Sequence, residues 1–239
     1  MRDCILLFMK NPRPGTVKTR LARFIGAEAA CEIYRCSILD LLRTLRSVPA
    51  RLRVCFTPAN AGRQVEQLVG RDTVCQPQRG RDLGKRMESA FLDAFNEDGH
   101  DRAVLVGSDL PDLPSSILED ALRSLRNHDS VIGPSEDGGY YLIGFRRRSF
   151  TGSVFSGIRW GGPRVFEDTA RILLTEHLRT HRLTLWHDMD TMADLGEYIR
   201  RNRDTPHRLS KTYVTAATCL DSLTNLDRNE RWKTRRYRV

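Results

Sequence analysis

An aspartate that follows an apolar run in the middle of the chain has the placement of a ligand-binding residue. Residues 103–106 (Ala-Val-Leu-Val) are apolar and include two β-branched valines, and residues 107–111 read Gly-Ser-Asp-Leu-Pro. The run predicts a buried parallel strand, and open α/β sheets bind ligands at the carboxyl ends of their strands. A carboxylate there suits a hard cation. We predict that Asp109 binds Mg²⁺ or Mn²⁺; the alternative is a turn aspartate.

A second acidic pair stands late in the chain. Residues 183–186 are strand-like, and Asp188 and Asp190 follow them just before a predicted helix. Two carboxylates from separate strand ends can hold one Mg²⁺ that substrate phosphates also bind. Asp190 is the predicted partner of Asp109, whereas Asp188 is equally well explained as a helix-capping residue.

A basic loop follows the first predicted strand. Residues 10–21 contain four basic side chains, two prolines and one glycine. The pattern is neither a P-loop nor a dinucleotide-binding fingerprint. Because Lys and Arg neutralise phosphate oxygens, Lys10, Lys18 and Arg20 are predicted nucleotide contacts. A plain basic surface loop is the alternative.

Residues 78–87 (Gln-Arg-Gly-Arg-Asp-Leu-Gly-Lys-Arg-Met) join the third predicted strand to a helix. Amide groups at a helix N-terminus favour anions, and the basic side chains add positive charge. Arg86 is therefore a predicted nucleotide-binding residue. A charged first helical turn is the alternative.

A glycine pair follows the fifth predicted strand, in residues 133–141 (Gly-Pro-Ser-Glu-Asp-Gly-Gly-Tyr-Tyr). Gly138 and Gly139 allow the backbone to pass close to a ligand. Asp137 is a predicted general base or a hydrogen-bond partner of a sugar hydroxyl, and Tyr140 is a predicted substrate contact. The alternative for Asp137 is a β-turn aspartate.

Strand-like and helix-like segments alternate along the chain. This alternation predicts an α/β fold with a mostly parallel, doubly wound sheet, into which the segment at 140–145 inserts an antiparallel strand. A capping box is predicted at Ser116 and Glu119, and another at Thr191 and Asp194. The predicted strands are 4–9, 52–56, 74–75, 103–106, 130–132, 140–145 and 183–186; the predicted helices are 28–46, 63–69, 83–96, 116–126, 162–174 and 191–200.

Composition places the chain among soluble globular proteins. Its 239 residues are 40% hydrophobic and 29% charged, and no apolar run reaches the length of a membrane span. The six cysteines form no C-x-x-C pair, and they are expected to be reduced in a cytoplasmic protein. The first residues are interpreted as a strand and not as a signal peptide.

The net charge of +9 is concentrated at the C-terminal end. Residues 201–239 contain ten Lys or Arg and four Asp or Glu, so the high isoelectric point is mainly a property of this segment. We expect residues 1–203 to form the main domain and residues 204–239 a basic, flexible extension. Nucleic-acid binding by the extension is the less favoured alternative.

Five motifs in a fixed order give the chain a resemblance to a known family. They are residues 14–21, 82–87, 107–111, 133–144 and 188–191. The chain resembles the bacterial glycosyltransferase-like family of nucleotide-diphospho-sugar transferases, also called radical-SAM/selenodomain-associated transferase 1. Residues 18–21 (Lys-Thr-Arg-Leu) are also similar to 2-phospholactate guanylyltransferases. The match ends near residue 204, and the family often has Ser or Thr after the tryptophan where this chain has Gly161.

The resemblance implies a Rossmann-like GT-A fold that binds a nucleotide with a divalent metal. It implies that Lys18 and Arg20 contact phosphate and that Asp109 and Asp190 lie on the metal side. It further implies that the glycine turn at Asp137 forms part of the substrate pocket.

The expected function is sugar transfer from a nucleotide-diphosphate donor to a small-molecule acceptor. Nucleotidyl transfer from a nucleoside triphosphate, with release of pyrophosphate, is the alternative reaction. A nucleotide sensor without catalytic activity, or a nucleic-acid binder, is the alternative of another class.

Overall fold

The computed structural model describes the backbone of residues 2–236 and the side chains of residues 2–223. Helices and strands alternate, as predicted, because β-branched runs and helical apolar spacing alternate along the sequence. The strands are β1 Asp3–Lys10, β2 Arg51–Thr57, β3 Val74–Pro77, β4 Arg102–Gly107, β5 Ser130–Pro134, β6 Tyr140–Arg146 and β7 Thr180–Arg182. The α-helices are α1 Thr19–Ile25, α2 Ala27–Ser47, α3 Gly62–Val69, α4 Leu83–Leu92, α5 Ser115–Ser124, α6 Val165–Thr175, α7 Met192–Asn202 and α8 Lys211–Arg236.

The strands form one seven-stranded sheet in the order β3-β2-β1-β4-β6-β5-β7. Strand β6 runs antiparallel to both β4 and β5, and every other pair is parallel. The predicted mostly parallel sheet with an antiparallel insertion is therefore confirmed. Because the order 3-2-1-4 changes direction at β1, the sheet has its topological switch point between β1 and β4.

The chain divides into two compact units by its internal contacts. We call residues 2–11 and 41–188 the sheet unit, because they include all seven strands. Residues 12–40 and 189–236 form the helical unit, which includes α1, α7 and α8. This grouping divides the chain at residues 11/12, 40/41 and 188/189. It does not test the predicted boundary at residue 203, which stays a prediction.

One hydrophobic cluster of the sheet unit lies between α4 and the sheet. Phe91 is fully buried on α4, and its ring meets the ring of Phe145 on β6 edge to face, with centroids 5.2 Å apart. Cys4 and Cys55 are fully buried in the same cluster. Burial raises the pKa of the Cys4 thiol to about 12, so this cysteine is protonated and packs as a small apolar side chain.

The helical unit has its own small core. Leu21 of α1, Ile33 of α2, Tyr198 of α7 and Ala216 of α8 are fully buried together. The predicted capping box of α7 is confirmed, because the Thr191 side chain accepts a hydrogen bond from the Asp194 backbone and the Asp194 side chain accepts one from Thr191. None of the helices among the described residues is both long and apolar enough to cross a lipid bilayer.

Three local predictions were wrong or incomplete. The loop at residues 10–21 contains the start of α1, which the sequence analysis missed. Helix α5 begins at Ser115 after Pro114, whose ring offers no capping acceptor, so the predicted capping box at Ser116 is absent from this described helix.

The strand predicted at residues 183–186 lies outside β7. These residues follow β5 only irregularly, with hydrogen bonds from Leu183 N to Ile132 O and from Trp186 N to Pro134 O. Pro134 has no amide hydrogen to donate, which interrupts a regular ladder there.

Candidate functional site

The sheet unit brings two predicted site residues to the switch point of the sheet. Phe8 on β1 is paired with Gly107 on β4. Lys10, the last residue of β1, and Asp109, two residues after β4, each stand two positions beyond this pair, so an ammonium group and a carboxylate belong to neighbouring strand ends. Lys10 is exposed and Asp109 is half-buried. A Cβ atom at Gly107 would meet no described atom within 4 Å, which leaves space at the end of β4.

The loop before α4 is held against the same edge of the sheet. The Gln78 side-chain amide donates to Cys55 O at 2.9 Å and to Met9 O at 3.4 Å. This anchors the loop beside the last residues of β1 and β2. Asp82 caps α4 by accepting a hydrogen bond from Lys85 N at 2.9 Å, and this bond lowers the pKa of the Asp82 carboxyl.

Arg86 bends back to this loop from the first turn of α4. Its Nε donates to Gly80 O at 3.2 Å, and among the described residues no carboxylate lies within ion-pair distance of its guanidinium. Gly80 has a φ of +142°, and a Cβ atom there would lie 2.6 Å from the Lys85 carbonyl carbon. Only glycine therefore allows the loop and the helix start to lie so close together.

The Asp109 carboxylate is a suitable donor for a divalent metal. Hard cations such as Mg²⁺ prefer carboxylate oxygens, and one or two of them suffice when substrate phosphates complete the shell. No group of three or more His, Cys, Asp or Glu side chains able to hold a metal occurs in the part of the chain that the structure describes. That Asp109 and Asp190 share one ion stays a prediction.

Asp137 holds together the turn between β5 and β6. Its Oδ1 accepts hydrogen bonds from Ser135 Oγ at 2.6 Å and from Gly139 N at 2.9 Å. The sequence analysis did not predict a role for Ser135. Its position two residues before Asp137 is the sequence feature that indicates this contact. The turn-aspartate role of Asp137 is thus present, and its role as a base stays a prediction.

Gly138 is in close contact with the loop before α6. Its φ is +85°, and a Cβ atom there would overlap the Pro163 carbonyl oxygen at 1.9 Å. Its carbonyl accepts a hydrogen bond from Phe166 N at 2.9 Å. The glycine therefore permits one loop to pass against another, and the ligand contacts predicted for Gly138 and Gly139 stay predictions.

The two tyrosines after the turn both direct their hydroxyl groups to protein atoms. Tyr140 Oη donates to Met87 Sδ at 3.7 Å, and its ring meets Trp160 edge to face. Tyr141 Oη donates to Thr184 O at 2.9 Å. Burial raises the pKa of both hydroxyls, so they stay neutral. The substrate contact of Tyr140 stays a prediction.

The helical unit brings Lys18 and Asp190 together. Lys18 Nζ donates to Asp190 Oδ1 at 3.0 Å and to Met189 O at 2.5 Å, and it lies 5.6 Å from the ring centre of Tyr34. The side chain of Lys18 is 1% exposed and that of Asp190 is 49% exposed. Lys18 is buried in this pair, whereas Arg20 is exposed on α1. The phosphate contacts predicted for Lys18 and Arg20 stay predictions.

The backbone of Lys18 adopts a left-handed conformation, with φ 48° and ψ 41°, immediately before α1. Residues other than glycine rarely adopt this backbone conformation, and surrounding contacts must stabilise it. Sequence reasoning missed this, because the contacts come from residues more than 170 positions away.

A comparison with protein families matches residues 40–162 to the family DUF2064, described as "Uncharacterized protein conserved in bacteria". The chain belongs to this family. A crystal structure of a Desulfovibrio desulfuricans G20 protein, described provisionally as a nucleotide-diphospho-sugar transferase, is 41% identical. It matches with a TM-score of 0.88 over 91% of this chain and 95% of its own. The resemblance to the nucleotide-diphospho-sugar transferases is confirmed.

Two further proteins resemble this DUF2064 chain more distantly. The 2-phospho-L-lactate guanylyltransferase of Methanocaldococcus jannaschii is 22% identical over 190 residues, which are 80% of each chain. A cytidylyltransferase of Leptospira borgpetersenii serovar Hardjo-bovis is 16% identical, with a TM-score of 0.55 over 95% of each chain. This second likeness shows a shared fold, and it agrees with the predicted GT-A-like architecture.

Replacing Gly138 by alanine should destabilise the protein by about 3 kcal/mol, because the new methyl group strains a left-handed backbone and overlaps Pro163. Urea unfolding measures the loss. The matched control is Gly157→Ala, where φ is +75° and no described atom lies within 4 Å of the new methyl group. The control should lose only about 1 kcal/mol, and equal losses would contradict the close packing.

Replacing Asp190 by asparagine should destabilise the protein by about 2 kcal/mol in metal-free buffer, because it removes the carboxylate that pairs with a buried ammonium. Asp168→Asn is the control, since Asp168 pairs with Arg171 at the surface of α6 at 3.2 Å. That exposed pair contributes about 0.5 kcal/mol or less. Similar unfolding midpoints for the two variants would show that the Lys18–Asp190 pair adds no stability.

Proposed function

We propose that the protein is a divalent-metal-dependent nucleotidyltransferase, which joins a nucleoside monophosphate from a triphosphate donor to a small anionic acceptor and releases pyrophosphate. The observation that supports it best is the switch point, where Lys10 and Asp109 follow the paired positions Phe8 and Gly107. Open α/β sheets bind nucleotides in this crevice. The guanylyltransferase relative, similar over four-fifths of both chains, supports nucleotidyl transfer as the reaction.

In this proposal Asp109 holds the metal ion through its carboxylate. When bound, a divalent ion offsets the charge that grows on the leaving diphosphate. Lys10 and Arg86 contribute positive charge on the same unit, and Lys10 approaches phosphate as a point charge whereas Arg86 offers a planar set of donors. Arg20 and Lys18 of the helical unit stay proposed phosphate contacts, and Asp190 a proposed second carboxylate.

An anionic acceptor also explains why a strong base is not needed. The second pKa of a phosphate monoester is about 6, so its oxygen is largely ionised at neutral pH and can attack without losing a proton. Asp137 uses one oxygen to hold its own turn. In nucleotidyl transfer it therefore acts by keeping Gly138 and Gly139 in place. We propose that the protein is cytoplasmic, because the proposed substrates are soluble small molecules.

Sugar transfer from a nucleotide-diphosphate sugar is the second candidate reaction. The description of the Desulfovibrio desulfuricans protein, which is 41% identical, favours it. A neutral sugar or alcohol acceptor must lose a proton on attack, and Asp137 is then the proposed base. The same metal and phosphate contacts serve both reactions.

Phosphorus NMR of a turnover mixture separates the two reactions. Incubation with Mn²⁺, GTP and 2-phospho-L-lactate, or with a panel of triphosphates and small phosphorylated acids, should produce a pyrophosphate resonance. A mixture of nucleotide sugars and small alcohols should remain unchanged. Release of a nucleoside diphosphate from a nucleotide sugar, with no pyrophosphate from any triphosphate, would favour glycosyl transfer instead.

Asp109→Asn should remove metal-dependent nucleotide binding, because the amide oxygen carries no negative charge to hold the ion. At a nucleotide concentration 100 times the Kd, bound ligand stabilises a protein by about 2.7 kcal/mol. Thermal unfolding with Mn²⁺ and nucleotide should show this gain in the wild-type protein and almost none in the variant. The control is Asp72→Asn at an exposed turn; an unchanged gain in Asp109→Asn would contradict the metal site.

A further inference from the structure

Five arginines surround a cavity at the edge of the sheet opposite to Asp109. The cavity has a volume of about 640 Å³ and lies in the sheet unit. Strand β4 begins at this edge, and the antiparallel strand β6 ends there. Its lining includes Asp101 and five arginines: Arg102, Arg126, Arg146, Arg147 and Arg148. We call this the arginine groove.

Two of the arginines are committed to the protein itself. Arg102 donates to both carboxylate oxygens of Asp3, each at 2.7 Å, and to Leu122 O at 3.0 Å. Arg146 donates to Leu125 O at 2.9 Å and to Arg126 O. Both side chains are largely withdrawn from solvent, with 6% and 16% exposure. They form a fixed wall of the groove.

The other three arginines have their charge available. Arg126, Arg147 and Arg148 are exposed, and within the described side chains none of them has a carboxylate at ion-pair distance. The acidic lining residue, Asp101, accepts a hydrogen bond from Arg2 N at 2.9 Å, which holds the pKa of its carboxyl below the usual range. Three guanidinium groups thus face a concave surface with one carboxylate.

The shape and the donors indicate the class of ligand. A volume of 640 Å³ falls within the range of small-molecule sites, about 300–1,000 Å³. Guanidinium groups bind phosphate in pairs of parallel hydrogen bonds and need less desolvation than ammonium groups. A nucleic-acid duplex would need a longer positive stripe to follow its phosphates.

We infer that the arginine groove binds a small molecule carrying two or more phosphate groups, at a site separate from the switch point of the sheet. Arg147 and Arg148 belong to one short 3₁₀ turn directly after β6, so they move together with the strand. Arg126 approaches from the end of α5. The recognition uses arginine alone and needs no metal ion.

The test is calorimetric titration with inorganic pyrophosphate in buffer containing EDTA. Without a divalent ion the proposed nucleotide site is not expected to hold a diphosphate, so the groove is measured separately from the proposed function. The wild-type protein should bind one pyrophosphate. The variant Arg147→Ala/Arg148→Ala should lose about tenfold or more in affinity, because hydrogen bonds between charged groups are removed.

The matched control is Arg63→Ala/Arg71→Ala, which removes the same charge from two exposed arginines elsewhere on the sheet unit. Its pyrophosphate affinity should equal that of the wild-type protein. Arg126→Ala gives a second, independent variant that should also bind more weakly. Equal losses in both double variants, an unchanged affinity in Arg147→Ala/Arg148→Ala, or no pyrophosphate binding by the wild-type protein would each overturn the inference. Saturable binding of a DNA duplex with no binding of pyrophosphate would overturn it as well.

Discussion

The pairing of β1 with β4 is the constraint on which the rest of the site depends. These strands are central in the sheet, and their parallel register fixes Phe8 opposite Gly107. A shift by one residue would turn every side chain of a strand to the other face, which the buried faces of β1 and β4 do not allow. The positions of Lys10 and Asp109 at the sheet edge therefore follow from the packing of the core.

Much of the fold could be predicted because local signals and the final structure agree. Strands β1 to β4 are short runs with apolar residues, and each is followed along the chain by a helix with an apolar face. The antiparallel β6 was predictable too, because Asp137, Gly138 and Gly139 leave no room for a crossover helix between β5 and β6. The strand predicted at residues 183–186 was wrong. Their composition is typical of a strand, but Pro134 of the neighbouring β5 has no amide hydrogen to complete the ladder.

The site was predictable only in part, for a different physical reason. Asp109 could be placed from its own neighbours, since it needs only a strand that ends at Gly107. The state of Lys18 could not, because its burial depends on Tyr34 and on Asp190, which are distant in the sequence. A basic residue in a glycine-containing loop has the same local signature whether it faces solvent or lies in a buried ion pair. Sequence distance, and not residue type, limited the prediction.

Strand β6 has a mechanical consequence. It carries the glycine turn at one end and the arginines at the other, and residues 142–145 are paired with neighbours on both sides, β4 and β5. At about 3.3 Å per residue, β6 spans about 20 Å between the two edges of the sheet. A shift of β6 along its own axis would break its hydrogen bonds to β4 and to β5 at the same time. Small axial displacements of β6 therefore cannot transmit a conformational change from one end to the other. The two ends of β6 therefore keep a fixed separation as long as both ladders are intact.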